Sequence, residues 1–126
     1  MKVLWLLLMM CGAAQAQDGW VMIAETEQMT GYFRPGDARE QPGGTYLFWA
    51  AFDYKVPQAD RARSVRLAWD IDCRSMQVRT LHLTRHAGVK GDGAVVASGT
   101  KSDWAPIPPR SGVEQAANTV CPGRKP

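Results

Sequence analysis

Histidine occurs twice in these 126 residues and cysteine three times, and neither is spaced for metal chemistry. His82 and His86 stand four apart in a stretch that alternates like a strand. That separates them by about 13 Å, too far to share one metal ion. No second cysteine or carboxylate accompanies them at ligand spacing, so no metal and no cofactor is expected. No serine occupies a nucleophile-elbow pattern. The glycine-rich run GVKGDG, Gly88 to Gly93, lacks the lysine–serine ending of a phosphate loop and reads as a flexible hairpin loop. A net charge of only +3 argues against bulk nucleic-acid binding. The apolar run Val3 to Met10 is too short to cross a bilayer.

That run has the order of a signal peptide. Lys2 supplies the positive region, Val3 to Met10 the apolar region, and Ala14-Gln15-Ala16 the small-x-small cleavage site. Cleavage after Ala16 leaves residues 17–126 as a single domain with no transmembrane segment, placed in the periplasm, at the cell surface or outside the cell. A second reading acylates Cys11 as a lipoprotein, against a Met10 where a small residue is wanted. Export leaves Cys73 and Cys121, which in an oxidising compartment most simply form one disulfide. It would close a loop of about 49 residues, worth roughly 4 kcal/mol at the upper end.

What is present is alternation. In Ser64–Cys73 (SVRLAWDIDC) the residues Val65, Leu67, Trp69, Ile71 and Cys73 share one parity, and Ser64, Arg66, Ala68, Asp70 and Asp72 the other. This predicts a central strand with one apolar face and one wet face. Thr45 to Lys55 (TYLFWAAFDYK) is apolar on both parities. Tyr46, Phe48, Ala50, Phe52 and Tyr54 fall on one, Leu47, Trp49 and Ala51 on the other. Such a strand is covered on both sides. A helix and the core account for the cover; a partner-binding patch around Trp49 is the functional alternative.

Shorter strands are expected at 19–25, with Trp20, Met22 and Ala24 on one parity, at 29–34 and at 94–98. The return strand spans 76–86, where Leu81 and Leu83 share a parity with Arg79 and Arg85. Gln41 to Gly44 (QPGG) makes a hairpin loop. Prolines keep 102–110 extended, with Trp104 lidding one edge of the core. Ser111 and Glu114 form a capping box, and Val113, Ala116, Ala117, Val120 and Cys121 give an apolar helical stripe that stops at Pro122-Gly123. The expected fold is α+β. A small antiparallel sheet of about six strands carries one C-terminal helix packed on it, tied by a Cys73–Cys121 disulfide.

Two features invite chemistry. Asp70 and Asp72, about 7 Å apart by strand geometry, match the span of an inverting glycosidase pair. The plainer reading pairs them with cross-strand arginines such as Arg66 and Arg79. The arginines around the central hairpin read as a mixed-charge solvated face. The functional alternative is a surface for sulfated glycan or acidic protein, with salt-sensitive binding.

An ordered set of residues then adds a resemblance. Trp20, Tyr32 with Pro35, Phe52-Asp53-Tyr54-Lys55 before Pro57, Ser64, Asp72-Cys73, Arg79-Thr80-Leu81, Gly91 with Gly93, Trp104, Ile107-Pro108-Pro109, Ser111 and Cys121 together resemble the bacterial surface-adhesin protein E-like domain family. Arg34 and Asp37 depart from it, standing where an aspartate and a serine are expected. The resemblance implies a six-stranded antiparallel sheet with one helix, exported, in a family whose namesake binds host extracellular proteins. The expectation is a non-catalytic binding module of the cell envelope, adhesin-like by resemblance. Its candidate contact residues are Leu47, Trp49, Arg66 and Arg79, and its partner an extracellular or envelope protein. The alternatives are a structural periplasmic protein that self-associates as a homodimer, and a small hydrolase using Asp70 or Asp72.

Overall fold

A computed structural model describes residues 19–99 and 101–125; the signal peptide expected over 1–16, and Cys11 with it, lie outside the described residues. Eight strands form one antiparallel sheet. They are β1 (Val21–Glu25), β2 (Met29–Phe33), β3 (Arg39–Glu40), β4 (Thr45–Tyr54), β5 (Ser64–Asp72), β6 (Gln77–His86), β7 (Val95–Gly99) and β8 (Ala105–Pro106), followed by helix α1 (Gly112–Val120). The spatial order is β1-β2-β4-β5-β6-β7, with β3 also pairing β4 and β8 also pairing β6. Three long central strands are thus flanked on each side by two short segments lying end to end.

The central hairpin follows from its alternation. Phe48 lies opposite Trp69, Ala50 opposite Leu67, and Phe52 opposite Val65, so the apolar parities of β4 and β5 share one face. Phe33 of β2 joins them opposite Ala50. Phe48 meets Phe33 and Trp69 edge-on, with ring centroids 5.8 and 5.9 Å apart. Such pairs add about 0.5–1.5 kcal/mol each beyond their burial. Ala116, Ala117 and Cys121 of α1 and its cap close this core.

The helix starts where the capping box places it. Ser111 Oγ accepts the Glu114 N–H at 3.2 Å, while Glu114 Oε1 accepts from the Arg110 N–H at 3.2 Å. Gly112 permits close docking: a Cβ there would come within 3.1 Å of the Ala24 Cβ and the Ile23 carbonyl. At the other end Cys121 bonds Cys73, with Cα atoms 5.7 Å apart. The last turn of the helix is thereby held to the end of β5.

Two bulges redirect side chains that simple alternation misassigns. Between β5 and β6, His82 pairs with Ala68 and Thr80 with Trp69, leaving Leu81 as the extra residue. The facing pattern reverses across it. Leu83 and Val78, of opposite parity, therefore both pack on the core. Arg85 and Arg79 part company, opposite Val65 and Asp70 respectively. In β1 the shift falls between Met22 and Ala24. Ile23 turns into the core while Met22 stays half exposed.

Candidate functional site: an arginine–aromatic sheet face

Helix α1 covers one face of the sheet. The opposite face carries Leu47 and Trp49 of β4, Ser64, Arg66, Ala68 and Asp70 of β5, and Arg79 of β6, by the register of the three central strands. Alternation predicts a wet face on β5, and the structure differs: Ser64, Ala68 and Asp70 are 0, 6 and 2% exposed. The cover is built in part from cations set over aromatic rings.

Arg66 lies over Trp49 with 4.4 Å from guanidinium carbon to ring centroid, and 6.0 Å from the Trp20 ring. Arg34 takes the Trp20 ring at 4.3 Å. Across the sheet Arg79 lies over Trp104 at 4.5 Å, and Lys90 over Tyr32 at 4.7 Å. A delocalised, weakly hydrated guanidinium suits this stacking better than a compact ammonium does. Contacts of this type contribute about 0.5–2 kcal/mol each, more as water is excluded. Trp104 accordingly covers this face, and Ile107, two residues beyond β8's first position, packs on the core instead.

Asp70 sits in the row as its buried anion. Arg79 Nε–H and Nη2–H donate to its Oδ2 at 3.1 and 3.0 Å. Asp72 is used otherwise: its Oδ1 accepts from the Arg74 and Ser75 N–H groups at 3.0 and 3.3 Å. Those backbone donors hold its carboxyl below the usual range. The two carboxylates suggested as an acid–base pair are thus tied to a guanidinium and to a turn.

The GVKGDG run also differs from a flexible hairpin loop. A 3-10 turn over Val89–Gly91 folds back on the same face. Lys90 N–H donates to Asp53 Oδ1 at 2.6 Å, Gly91 N–H donates to Ser64 Oγ at 2.9 Å, and Ser64 Oγ–H donates to the Gly88 carbonyl at 2.6 Å. Gly91 is required here. Its φ is +74°, and a Cβ would approach Arg66 Cδ to 2.8 Å. His86 is buried beneath the loop, with Nδ1 3.2 Å from the Gly93 carbonyl and Nε2 2.7 Å from Thr84 Oγ1. His82 is exposed. Among the described residues no group of three His, Cys, Asp or Glu side chains is placed to hold a metal ion, and no helix is long and apolar enough to cross a membrane.

The structure therefore brings all four expected contact residues to one face, and divides them. Leu47, Trp49 and Arg66 lie toward the β2–β3 side; Arg79 lies toward β8. Sequence reasoning missed Arg34, Arg39 and Trp20. Arg39 sits opposite Leu47 and adds a third arginine beside Trp49. The indoles and guanidiniums were visible as residue types, but only the strand order places them together.

Fold and face define a small disulfide-tied α+β domain that presents an arginine–aromatic surface. The family model described as surface-adhesin protein E matches residues 20–122, and the chain belongs to that family. Among solved structures it is similar to Haemophilus influenzae protein E. One form superimposes with a TM-score of 0.66 at 17% identity, covering 89% of this chain and 92% of that one. A second crystal form gives 0.65 at 17% identity over 86% and 91%. No curated protein sequence matches the chain.

Proposed function

We propose that the chain is an exported, non-catalytic binding module of the bacterial cell envelope, with the sheet face opposite α1 as its contact surface. Membership of the surface-adhesin family supports an adhesin-like role. The observation that carries the assignment to this face is Arg66 held over Trp49, a half-buried pair on the face that α1 leaves uncovered. Tryptophan and arginine dominate the energetics of protein interfaces because each offers large area with directional polar contacts. Leu47 beside them supplies apolar area, and Arg79 extends the surface across the sheet. An extracellular or envelope protein is the partner this reading favours, and the domain over 17–126 the unit that meets it.

The test is capture from envelope extract and from host matrix protein by immobilised mature chain, with Trp49→Ala as the paired variant. Loss of capture by Trp49→Ala, with its unfolding midpoint near that of the native chain, is the expected result. Equal capture by both proteins would move the contact surface elsewhere. A dimer by light scattering that dissociates in Trp49→Ala, with nothing else captured, would make self-association the role of this face.

A further inference from the structure

We propose that the region of this face around Arg34, Arg39, Arg66 and Trp49 is a subsite for a sulfated oligosaccharide, a ligand class that rests on the contact-face reading above. Two shallow grooves meet there at Asp37. One, of about 260 Å³, is lined by Arg34, Gly36 and Asp37. The other, of about 370 Å³, is lined by Asp37, Arg39, Leu47 and Trp49. Together they trace a trough from the Arg34 guanidinium past that of Arg39 to a half-open indole, with Arg66 set over that indole.

Charge is unbalanced along this trough. Arg34, Arg39 and Arg66 gather near Asp37, with Asp92 a second carboxylate acting on Arg66. The ion pair shown is weak: Asp37 reaches Arg34 at 3.8 Å, with 49% of the Asp37 side chain exposed. Arg34 and Arg66 share the Trp20 ring between them, which holds two like charges close together. Burial and the Arg34 charge both pull Arg66 below the usual guanidinium range. Arg34 Nε and Arg66 Nε are buried with no hydrogen-bond partner among the described residues. An anion seated in the trough offsets the like-charge crowding of Arg34 and Arg66, and a sulfate presents oxygens in the geometry a guanidinium fork takes.

The aspartate decides between classes of anion. The side chains of a carboxylate-rich peptide offer acceptors alone and would meet Asp37 as like charges, leaving only backbone N–H groups to donate. A saccharide brings hydroxyls, which donate as well as accept. These can serve Asp37 while sulfates serve the arginines. The remaining requirement of a sugar is a flat apolar platform for its ring carbons, and the part of the Trp49 indole that lines the second groove, away from the Arg66 guanidinium, supplies it.

The experiment is calorimetric titration of the mature chain with a heparin-derived octasaccharide, its desulfated counterpart, and a glutamate decapeptide. Expected are saturable binding of the sulfated octasaccharide that weakens as salt rises, and a loss of at least about tenfold for Arg66→Gln. Arg39→Gln should weaken binding several-fold and Arg85→Gln, on the other face, should leave it unchanged. Arg39 is exposed, so that variant decides the matter if Arg66→Gln fails to fold. Equal affinity for the desulfated octasaccharide, or native affinity in Arg39→Gln, would overturn the proposal. Binding of the glutamate peptide in its place would overturn the saccharide and keep the contact face. If no probe binds while Trp49→Ala still loses its captured partner, the sulfated ligand alone is refuted; if Trp49→Ala loses nothing, the face falls with it.

Discussion

Arg79 directs two donors at a single oxygen of Asp70, and the second oxygen, Oδ1, is buried without a partner among the described residues. Arg79→Ala therefore strands an almost fully buried carboxylate. Breaking a buried pair costs about 3–5 kcal/mol. Arg79 keeps 35% of its side chain open to water, which lowers the expected loss to about 2 kcal/mol. Urea unfolding should show it, with Asp70→Asn costing less because its carbonyl still accepts from Arg79. A native midpoint for Arg79→Ala would count against the pair as a structural element.

The disulfide should matter more than any side-chain contact. Cys73 and Cys121 are 48 positions apart, and opening the bond returns that freedom to the unfolded chain. A loss of about 2–4 kcal/mol is expected for the double Cys→Ser variant. Differential scanning calorimetry with and without reductant checks it. A midpoint that ignores reductant would show the helix to be held by packing alone.

Acid should loosen the β4–β5 loop before the core. Asp60 is lowered from 3.8 to about 2, first by the Arg85 side chain and then by the Ala62 N–H. A depressed folded-state value means that this stabilisation is present above about pH 4 and is lost as pH falls through 2. The Asp60 carboxyl resonance should titrate near 2 by NMR, and Arg85→Gln should return it toward 3.8. An unchanged titration in Arg85→Gln would assign the shift to the backbone donor.

Gly91→Ala tests how the pinned loop supports the binding face. The added Cβ meets Arg66 Cδ at 2.8 Å with φ at +74°, so strain and collision act together. A cost of about 1–3 kcal/mol is expected, along with altered tryptophan fluorescence as Arg66 leaves Trp49. Stability lost with unchanged fluorescence would mean that the loop gives way and Arg66 does not.

The helix, its cap and its covalent tie were legible because each has a local signal: serine followed three residues on by glutamate, a helical stripe, and two cysteines beyond the expected signal peptide. The central hairpin was legible for the same reason, since the parities of β4 and β5 agree with their register. The bulges at Ile23 and Leu81 carry no such signal. One extra residue inverts every later side chain while leaving the composition untouched, so Arg79 and Arg85 could not be parted in advance. Parity also assigns residues to a face without saying what will lie on it. Arg34 and Trp20 come from outside the hairpin, and Trp104 from beyond β7. Their meeting on Arg66 and Arg79 depends on strand order and loop path, which alternation does not encode.

The outer margins of the sheet have a consequence of their own. On one side stand β1, five residues long with a bulge, and the two-residue β3. On the other stand β7, five residues with a register shift, and the two-residue β8. Among the described residues, neither margin presents the long, level row of amides and carbonyls on which another molecule's backbone could be laid and extended. Short, interrupted margins of this kind work against edge-to-edge pairing of neighbouring copies and so against fibre growth.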